Sequence, residues 1–309
     1  MIVLKLIGDA ALLLLAAITA FLAWHALRLH APDGLALPLQ ALTLLALVGT
    51  VGLWLWGRPF GWMGLAMIAA IHLAWFFALH PRADRNWAPD LARTTTGTVT
   101  DGIATLTDIR MFQWAPDGTA TEAWETRSYD LSQITRVDLI TSVWGHPDIA
   151  HILVTFQFAD GSDIAWTIEA RRQAGESFNA PGGFLRQFEL ATIAAPESDV
   201  VDLRVTARGE EVRRFPTTIT PEQGATLFEA YVDYANDLAA RPRFYNIVFG
   251  NCTTIAWSIA HALRADLPWH PGLLLSGRLP EYLDELGVLA GDMDMAARRE
   301  AALIPPSER

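Results

Sequence analysis

The segment 151-HILVTFQFADGSDIAWTIEA-170 decides the fold of the larger part of this chain. Apolar residues occupy every second position on both sides of Ala159-Asp160-Gly161, which is typical of two antiparallel strands joined by a short turn. Even-numbered residues are apolar in both strands, so even positions pair with even positions and the loop has an odd number of residues. With that three-residue loop His151 lies opposite Glu169, their Cβ atoms about 5 Å apart. The register therefore predicts an imidazole beside a carboxylate.

The hairpin belongs to a series of short alternating segments, and helical segments follow that series. After Pro221 the apolar residues recur at helical spacing. Strands followed by helices predict an α+β domain with an antiparallel sheet. The further strands are predicted at 103–114, 136–144, 188–194 and 200–207, and the helices at 222–239, 252–264 and 280–286.

Three apolar segments precede residue 80, at 10–27, 35–57 and 60–79. Each is close to the roughly 20 residues that a helix needs to cross a bilayer. We therefore expect three transmembrane helices. The predicted organisation is a membrane anchor at 1–80, a linker at 81–96, an α+β domain at 97–290 and a C-terminal tail at 291–309.

The charge of the chain is distributed unevenly. Residues 1–93 hold six basic and four acidic residues, whereas residues 94–309 hold the other 17 basic and 30 acidic residues. The domain after the anchor is therefore strongly acidic. Nucleic-acid phosphates need Lys and Arg to replace their counterions, so this charge argues against a nucleic-acid partner.

The single cysteine, Cys252, follows Gly250-Asn251 and opens a predicted helix. The unpaired N–H groups and the dipole at a helix N-terminus stabilise a thiolate, and the same N–H groups can bind an oxyanion. A small apolar cysteine in the first turn of a helix can equally be an inert packing residue. Position alone leaves both interpretations open.

Geometry narrows the choice of the histidine that could activate this thiol. His261 lies nine residues along the same helix, about 13 Å away, and is too distant. His146 and His270 precede prolines in loops and stay open as alternatives. His151, with Glu169 beside it, has the base and orienting group that thiol activation needs.

A metal site is a weaker hypothesis. His146, Asp148 and His151 would supply only three ligands, at irregular spacing around Pro147. We therefore expect neither a metal nor another cofactor.

Several short motifs follow one another along the chain in this order: Trp144-Gly145, Ala150-His151, Glu169-Ala170-Arg171, Gly175-Glu176, the run 183–190, Tyr245-Asn246 and 251–254. Together they resemble the motifs of the Lnb N-terminal periplasmic domain family. The resemblance covers roughly residues 85–290 and implies a permuted papain-like fold, in which the histidine strand precedes the cysteine helix. It implies a thiol-dependent lipoprotein N-acyltransferase at the outer leaflet of a bacterial inner membrane.

By this resemblance Cys252 is the nucleophile, His151 the general base and acid, and Glu169 the residue that orients the imidazole. The acyl donor is a phospholipid and the acceptor is the N-terminus of a lipoprotein. Asn251, Thr253 and Asn246 are candidates for supporting the oxyanion site, together with the Cys252 N–H. Five further residues at motif positions either position substrate or form structural ion pairs: Arg171, Glu176, Arg186, Glu189 and Arg204.

Membrane orientation has two conflicting indications. The domain side of the three helices carries Arg28, Arg82, Arg85 and Arg93, against Lys5 and Arg58 on the other side, which weakly favours a cytoplasmic domain. The resemblance implies a periplasmic domain, and we adopt that orientation because so small a charge bias is a weak determinant.

Two other functional classes are open. A cysteine hydrolase, acting on cell-wall peptides or acyl esters, would use the same three residues and differ only in the acceptor. A non-catalytic, membrane-anchored binding module would make Cys252 a packing residue.

Overall fold

The computed structural model describes residues 2–82 and 84–305, and the chain divides into two compact units at residues 81 and 82. The end of the predicted tail, 306–309, lies outside the described residues. The first unit contains α1 (Ile2–His30), α2 (Ala36–Leu55) and α3 (Phe60–Phe77). All three helices are long and apolar enough to cross a membrane, as predicted.

The three helices pack through a small apolar core that includes Leu12, Leu47 and Leu65. Polar side chains in the helices are paired within the unit: Gln40 Nε2 donates to the Trp24 carbonyl at 2.8 Å, and Trp54 Nε1 donates to Asp9 Oδ1 at 2.6 Å. Pairing of this kind is needed in a bilayer, where no water can satisfy these groups.

The second unit is built on a five-stranded antiparallel sheet of order β10-β6-β7-β8-β9. A three-stranded sheet (β1-β2-β5) and a two-stranded ribbon (β3-β4) complete the strands. The strands are β1 Thr96–Thr100, β2 Ile103–Arg110, β3 Gln113–Trp114, β4 Ala120–Thr121, β5 Trp124–Asp130, β6 Ile134–Val143, β7 Ala150–Phe158, β8 Asp163–Arg171, β9 Glu189–Ala195 and β10 Glu211–Pro216. The helices are α4 Ala180–Phe184, α5 Glu197–Asp202, α6 Pro221–Ala240, α7 Cys252–Ala260, α8 Leu279–Glu285 and α9 Met295–Ala301. This architecture is α+β, as predicted.

The predicted hairpin is β7–β8, and its register is confirmed. Leu153 pairs with Thr167 and Phe156 with Ile164, the register that sets His151 opposite Glu169. Phe158 N–H donates to the Ser162 carbonyl, so the loop is 159–161, with Gly161 at φ 84°. Glycine tolerates this left-handed conformation, and it closes the turn.

Both faces of the sheet are covered. The even-numbered face, including Ile152 and Trp166, packs with α6 and α7, whereas the odd-numbered face, including Leu153, packs with Val200 and Val205. The prediction of a strand at 200–207 is therefore wrong. That segment is the end of α5 followed by a π-helical turn, Leu203–Ala207.

The described parts of the predicted linker and tail pack on the second unit. Leu91 is buried in the odd-face core, and the Ala88 N–H donates to the Arg172 carbonyl. Near the other end, Arg298 of α9 is buried, and the Arg214 N–H donates to the Ala302 carbonyl. Both segments are therefore structural parts of this unit.

Candidate active site

Helix α7 begins at Cys252 and is capped by the residue before it. The Asn251 side-chain oxygen accepts from the N–H groups of Thr253 and Thr254, at 3.0 and 2.9 Å, and Thr254 Oγ1 accepts from the Asn251 N–H in return. Asn251 Nδ2 donates to the Ile247 carbonyl at 2.7 Å. This capping box fixes the thiol-bearing residue in the first helical turn.

His151 contacts two side chains of the neighbouring strand. Its Nε2 lies 3.1 Å from Glu169 Oε1 and 2.5 Å from Thr167 Oγ1. Thr167 Oγ1 in turn lies 3.2 Å from Glu169 Oε1. All three residues share the odd-numbered face of the hairpin, so the strand register itself brings them together. Because Nε2 is engaged here, Nδ1 is the nitrogen that remains for the thiol.

Arg204 contacts the carboxylate of Glu169 from the helical segment that packs on the odd-numbered face of the sheet. It lies in the π-helical turn after α5, is only 1% exposed, and donates to Glu169 Oε1 at 2.9 Å and to the Val200 carbonyl at 2.8 Å. A buried carboxylate needs partners of this kind to stay ionised. Glu169 therefore has a cation on one side and the imidazole on the other.

Cys252 and His151 line the same cavity although they belong to different elements. Cys252 opens the helix on the even-numbered face, His151 lies at the start of β7, and the charge of each acts on the pKa of the other. Burial raises the pKa of Cys252, but His151 outweighs it, aided by the Ile152 backbone and Thr253, so the pKa of the thiol is lowered. This environment favours a thiolate.

The charges of the neighbours act on the imidazole and the carboxylate in the opposite sense to burial. Burial lowers the pKa of His151, but the charges of Glu169 and Cys252 raise it to about 9. Burial raises the pKa of Glu169, but His151 and Arg204 hold it well below its ordinary value. The lowered pKa of Cys252 and the raised pKa of His151 both shift the equilibrium toward an imidazolium between a thiolate and a carboxylate.

These residues line one cavity of about 460 Å³, within the roughly 300–1,000 Å³ typical of small-molecule sites. Apolar and aromatic side chains, among them Trp144, Phe178 and Tyr245, form much of its wall. The cavity therefore presents a candidate nucleophile, base and orienting group to a bound molecule.

The sequence pattern described as the Lnb N-terminal periplasmic domain matches residues 120–277, just over half of the chain. The chain belongs to this family. The matched region contains His151, Glu169 and Cys252. No curated protein and no solved structure matches the chain. Together with the three apolar helices, the match identifies a membrane protein with an Lnb-type periplasmic domain.

The three residues predicted to support an oxyanion site each make a different kind of contact in this Lnb domain. Asn251 commits its oxygen to the helix cap, while Asn246 Oδ1 accepts from the N–H groups of Val248 and Phe249 and so shapes the loop before the cysteine. Thr253 Oγ1 lies 3.8 Å from Cys252 Sγ. Within residues 2–82 and 84–305, no acceptor engages the Cys252 N–H, so this donor is available to an oxyanion.

The five motif residues of uncertain role separate into two groups. Arg204 and Glu176 line the cavity. Arg171 donates to the carbonyls of Leu91 and Ala92, Glu189 is buried and accepts from the Arg82 N–H, and Arg186 lies over the Phe244 ring. These three residues, which do not line the cavity, therefore have structural contacts.

The alternative histidines lie away from this cavity. His146 is 3.8 Å from Asp148, whose other oxygen pairs with Arg278. His270 stacks on Tyr282, and His261 Nδ1 donates to the Trp257 carbonyl at 2.9 Å, one turn earlier in the chain. Among the described residues, His151 is the histidine that lines the cavity with Cys252.

Three residues of the site were not among the predicted ones. Thr167 contacts His151, and Arg172 and Arg208 line the cavity. Thr167 was open to prediction, because it shares the odd-numbered face of β8 with Glu169. Arg208 was not, because its approach depends on the π-helical turn.

Proposed function

We propose that this protein is a membrane-anchored cysteine acyltransferase that moves an acyl chain from a phospholipid to the α-amine of a bacterial lipoprotein. The observation that carries the proposal is the Cys252 thiol beside the His151 imidazole, with Glu169 behind it, in one cavity. The membership of the Lnb family and the three apolar helices support a lipid substrate. The bacterial inner membrane, with the domain periplasmic, is part of the proposal.

In the first half-reaction the Cys252 thiolate attacks an ester carbonyl of the phospholipid. The backbone N–H of Cys252 is available to stabilise the resulting oxyanion. The intermediate collapses with cleavage of the bond to the glycerol oxygen, and the His151 imidazolium protonates that oxygen as the lysophospholipid leaves. The products are a Cys252 thioester and a neutral imidazole.

In the second half-reaction the α-amine of the lipoprotein's terminal cysteine attacks the thioester carbonyl. His151, now neutral, accepts the proton from the amine, and the Cys252 thiolate leaves as the amide forms. This returns the thiolate and imidazolium to their starting states. Glu169 holds the imidazole in place and stabilises its charge, while Arg204 and Thr167 hold Glu169 and the ring.

Transfer to an amine requires that water reacts more slowly than the acceptor. The apolar and aromatic wall of the cavity, including Phe178 and Ile247, supports exclusion of water from the thioester. A cysteine hydrolase would use the same three side chains, and the acceptor therefore distinguishes the two reactions.

The test is mass spectrometry of the purified, full-length protein incubated with phospholipid vesicles, with and without a diacylated lipopeptide. We expect an acyl adduct on Cys252 that disappears as the lipopeptide gains a third chain. An adduct that decays to free fatty acid at the same rate without lipopeptide would instead show a lipase. Absence of an adduct, with Cys252 also inert to a thiol reagent, would show that the proposal is wrong and favour a binding module.

A further inference from the structure

A second cavity, of about 550 Å³, borders α7 from Thr253 to Ala260. It is enclosed by Val137 and Leu139 of β6, by the even-numbered face of β7, and by helices α6, α7 and α8. Representative wall residues are Leu139, Val154, Leu227, Trp257, Leu283 and Leu286. Protein interiors are otherwise closely packed, so an apolar space of this size within a core is unusual.

Polar and apolar residues occupy different parts of the wall of this second cavity. Every lining residue that is exposed to solvent is polar: Thr218, Thr220, Gln223 and Arg264. The apolar lining residues are buried or half-buried. The cavity thus has an apolar interior with a polar rim, which suits a long apolar group and offers little to a polar one.

The two cavities are adjacent at the first turn of α7. Thr253 and Leu273 line both of them. Thr253 directly follows Cys252, and its Oγ1 lies 3.8 Å from the Cys252 Sγ. An apolar group attached to this sulfur therefore needs to pass only these two side chains to enter the second cavity.

One face of α7 borders the second cavity. Thr253, Ala256, Trp257 and Ala260 recur at helical spacing, and all four line the cavity. The two alanines are the residues with the smallest side chains on this face. From Thr253 to Ala260 the helix rises about 10 Å, so Ala260 borders a part of the cavity far from the sulfur.

We infer that this second cavity holds the hydrocarbon part of the transferred acyl chain, first in the bound phospholipid and then as the chain carried on Cys252. The inference rests on the proposed function and adds to it a site for the chain, bordered by Ala256, Trp257 and Ala260. Burial of the chain there would favour long acyl chains over short ones, because each buried methylene strengthens binding about fourfold. It would also draw the thioester carbonyl toward the N-terminus of α7.

The first experiment compares Ala260→Phe with the wild type, using dioctanoyl and dipalmitoyl phosphatidylglycerol as donors and the Cys252 adduct as the readout. We expect the variant to form the palmitoyl adduct at least about tenfold more slowly, with the octanoyl rate within about twofold of wild type. Ala262→Phe is the matched control, because Ala262 is exposed and lines neither cavity. If Ala260→Phe slows adduct formation equally with both donors, or changes neither rate, the inference about the second cavity is wrong. An adduct on Cys252 in the same experiment would still support the proposed function.

The second experiment needs neither turnover nor a cavity variant. Full-length Cys252→Ser protein in nanodiscs is photolysed with a phosphatidylglycerol that carries a diazirine near the end of one acyl chain, and the cross-linked peptides are mapped. We expect labelling of the segments around Trp257 and 283–288. Labelling confined to the three membrane helices would overturn the inference. Because the serine variant forms no thioester, this result is independent of whether the wild type transfers acyl groups.

Discussion

Glu169 Oε1 lies 3.1 Å from His151 Nε2, although 17 residues of chain separate the two side chains. The contact is a consequence of strand register, because the two positions face each other across β7 and β8. It fixes the orientation of the imidazole. Burial lowers the pKa of His151, but the charge of Glu169, together with that of Cys252, raises it to about 9. The charge on His151 in turn lowers the pKa of Cys252. The carboxylate therefore acts on the thiol through the histidine.

Replacing Glu169 by Gln should make the thiol less reactive at neutral pH. The amide keeps the size of the side chain but removes the charge that favours imidazolium, so the pKa of His151 should fall and that of Cys252 should rise. We expect the pH midpoint of Cys252 alkylation by iodoacetamide to move up by about 1–2 units. Glu176→Gln is the control, because Glu176 lines the same cavity but accepts from the amides of Gln173 and Gln187. A shift of equal size in both variants would contradict this assignment.

Removal of the imidazole should have a larger effect. In His151→Ala the burial that raises the pKa of Cys252 is no longer opposed by a neighbouring cation. We expect the thiol to be protonated at neutral pH and acyl transfer to fall by about 10²–10⁴-fold. Circular dichroism would establish that the variant folds. Wild-type turnover in a folded His151→Ala protein would exclude His151 as the base.

The fold of the hairpin and its site could be predicted because alternation along β7 and β8 requires a loop with an odd number of residues, and the three-residue loop 159–161 then sets the register. The pairing of His151 with Glu169 follows from that register. The segment 200–207 was predicted wrongly for the same kind of reason, since its alternating residues imitate a strand. A helix forms there instead because it begins after Pro196, with Glu197 and Asp199 in its first turn.

Contacts between the sheet and the helical segments packed on it could not be predicted from the alternation of apolar residues along the strands. Arg204 reaches Glu169 only because the π-helical turn packs on the odd-numbered face of the sheet. The role of the Asn251 side chain could not be predicted for a different reason. The sequence placed it beside the thiol, but whether its side chain binds substrate or caps a helix depends on the backbone N–H groups that lie within reach.

The cap should be important for the position of Cys252. Asn251→Ala removes the acceptor for the Thr253 and Thr254 N–H groups, and loss of an N-cap costs about 1–2 kcal/mol. We expect a lower free energy of unfolding by this amount and a loss of acyl transfer greater than instability alone produces. Asn251→Ser, which keeps an acceptor for the cap without setting a second oxygen against the Ile247 carbonyl, should restore part of the stability. If the serine variant is as unstable as the alanine variant, the cap is not the cause.

Arg204 should stabilise the fold chiefly while Glu169 is ionised. Replacement by Met removes a buried cation from the carboxylate and should cost about 3 kcal/mol at neutral pH. The folded-state pKa of Glu169 is held well below its ordinary 4.5, so this stabilisation is complete above 4.5 and is lost as the pH falls through the folded pKa. Urea unfolding should therefore show a gap between wild type and variant that narrows in acid. A gap that stays constant with pH would mean that Arg204 acts through packing alone.

The orientation of the chain in the membrane can be tested because Cys252 is the sole cysteine. In a Cys252→Ser background, exposed positions can each carry one new thiol: Asp33 between α1 and α2, Arg58 between α2 and α3, and Thr126 on β5. With three spans, Asp33 lies on the same side of the bilayer as the domain and Arg58 on the other side. If the domain is periplasmic, a membrane-impermeant maleimide added to spheroplasts should label Asp33→Cys and Thr126→Cys, but label Arg58→Cys only after lysis. The reverse pattern would place the domain in the cytoplasm, as the basic residues weakly favour, and would remove the outer-leaflet lipids from the proposed reaction.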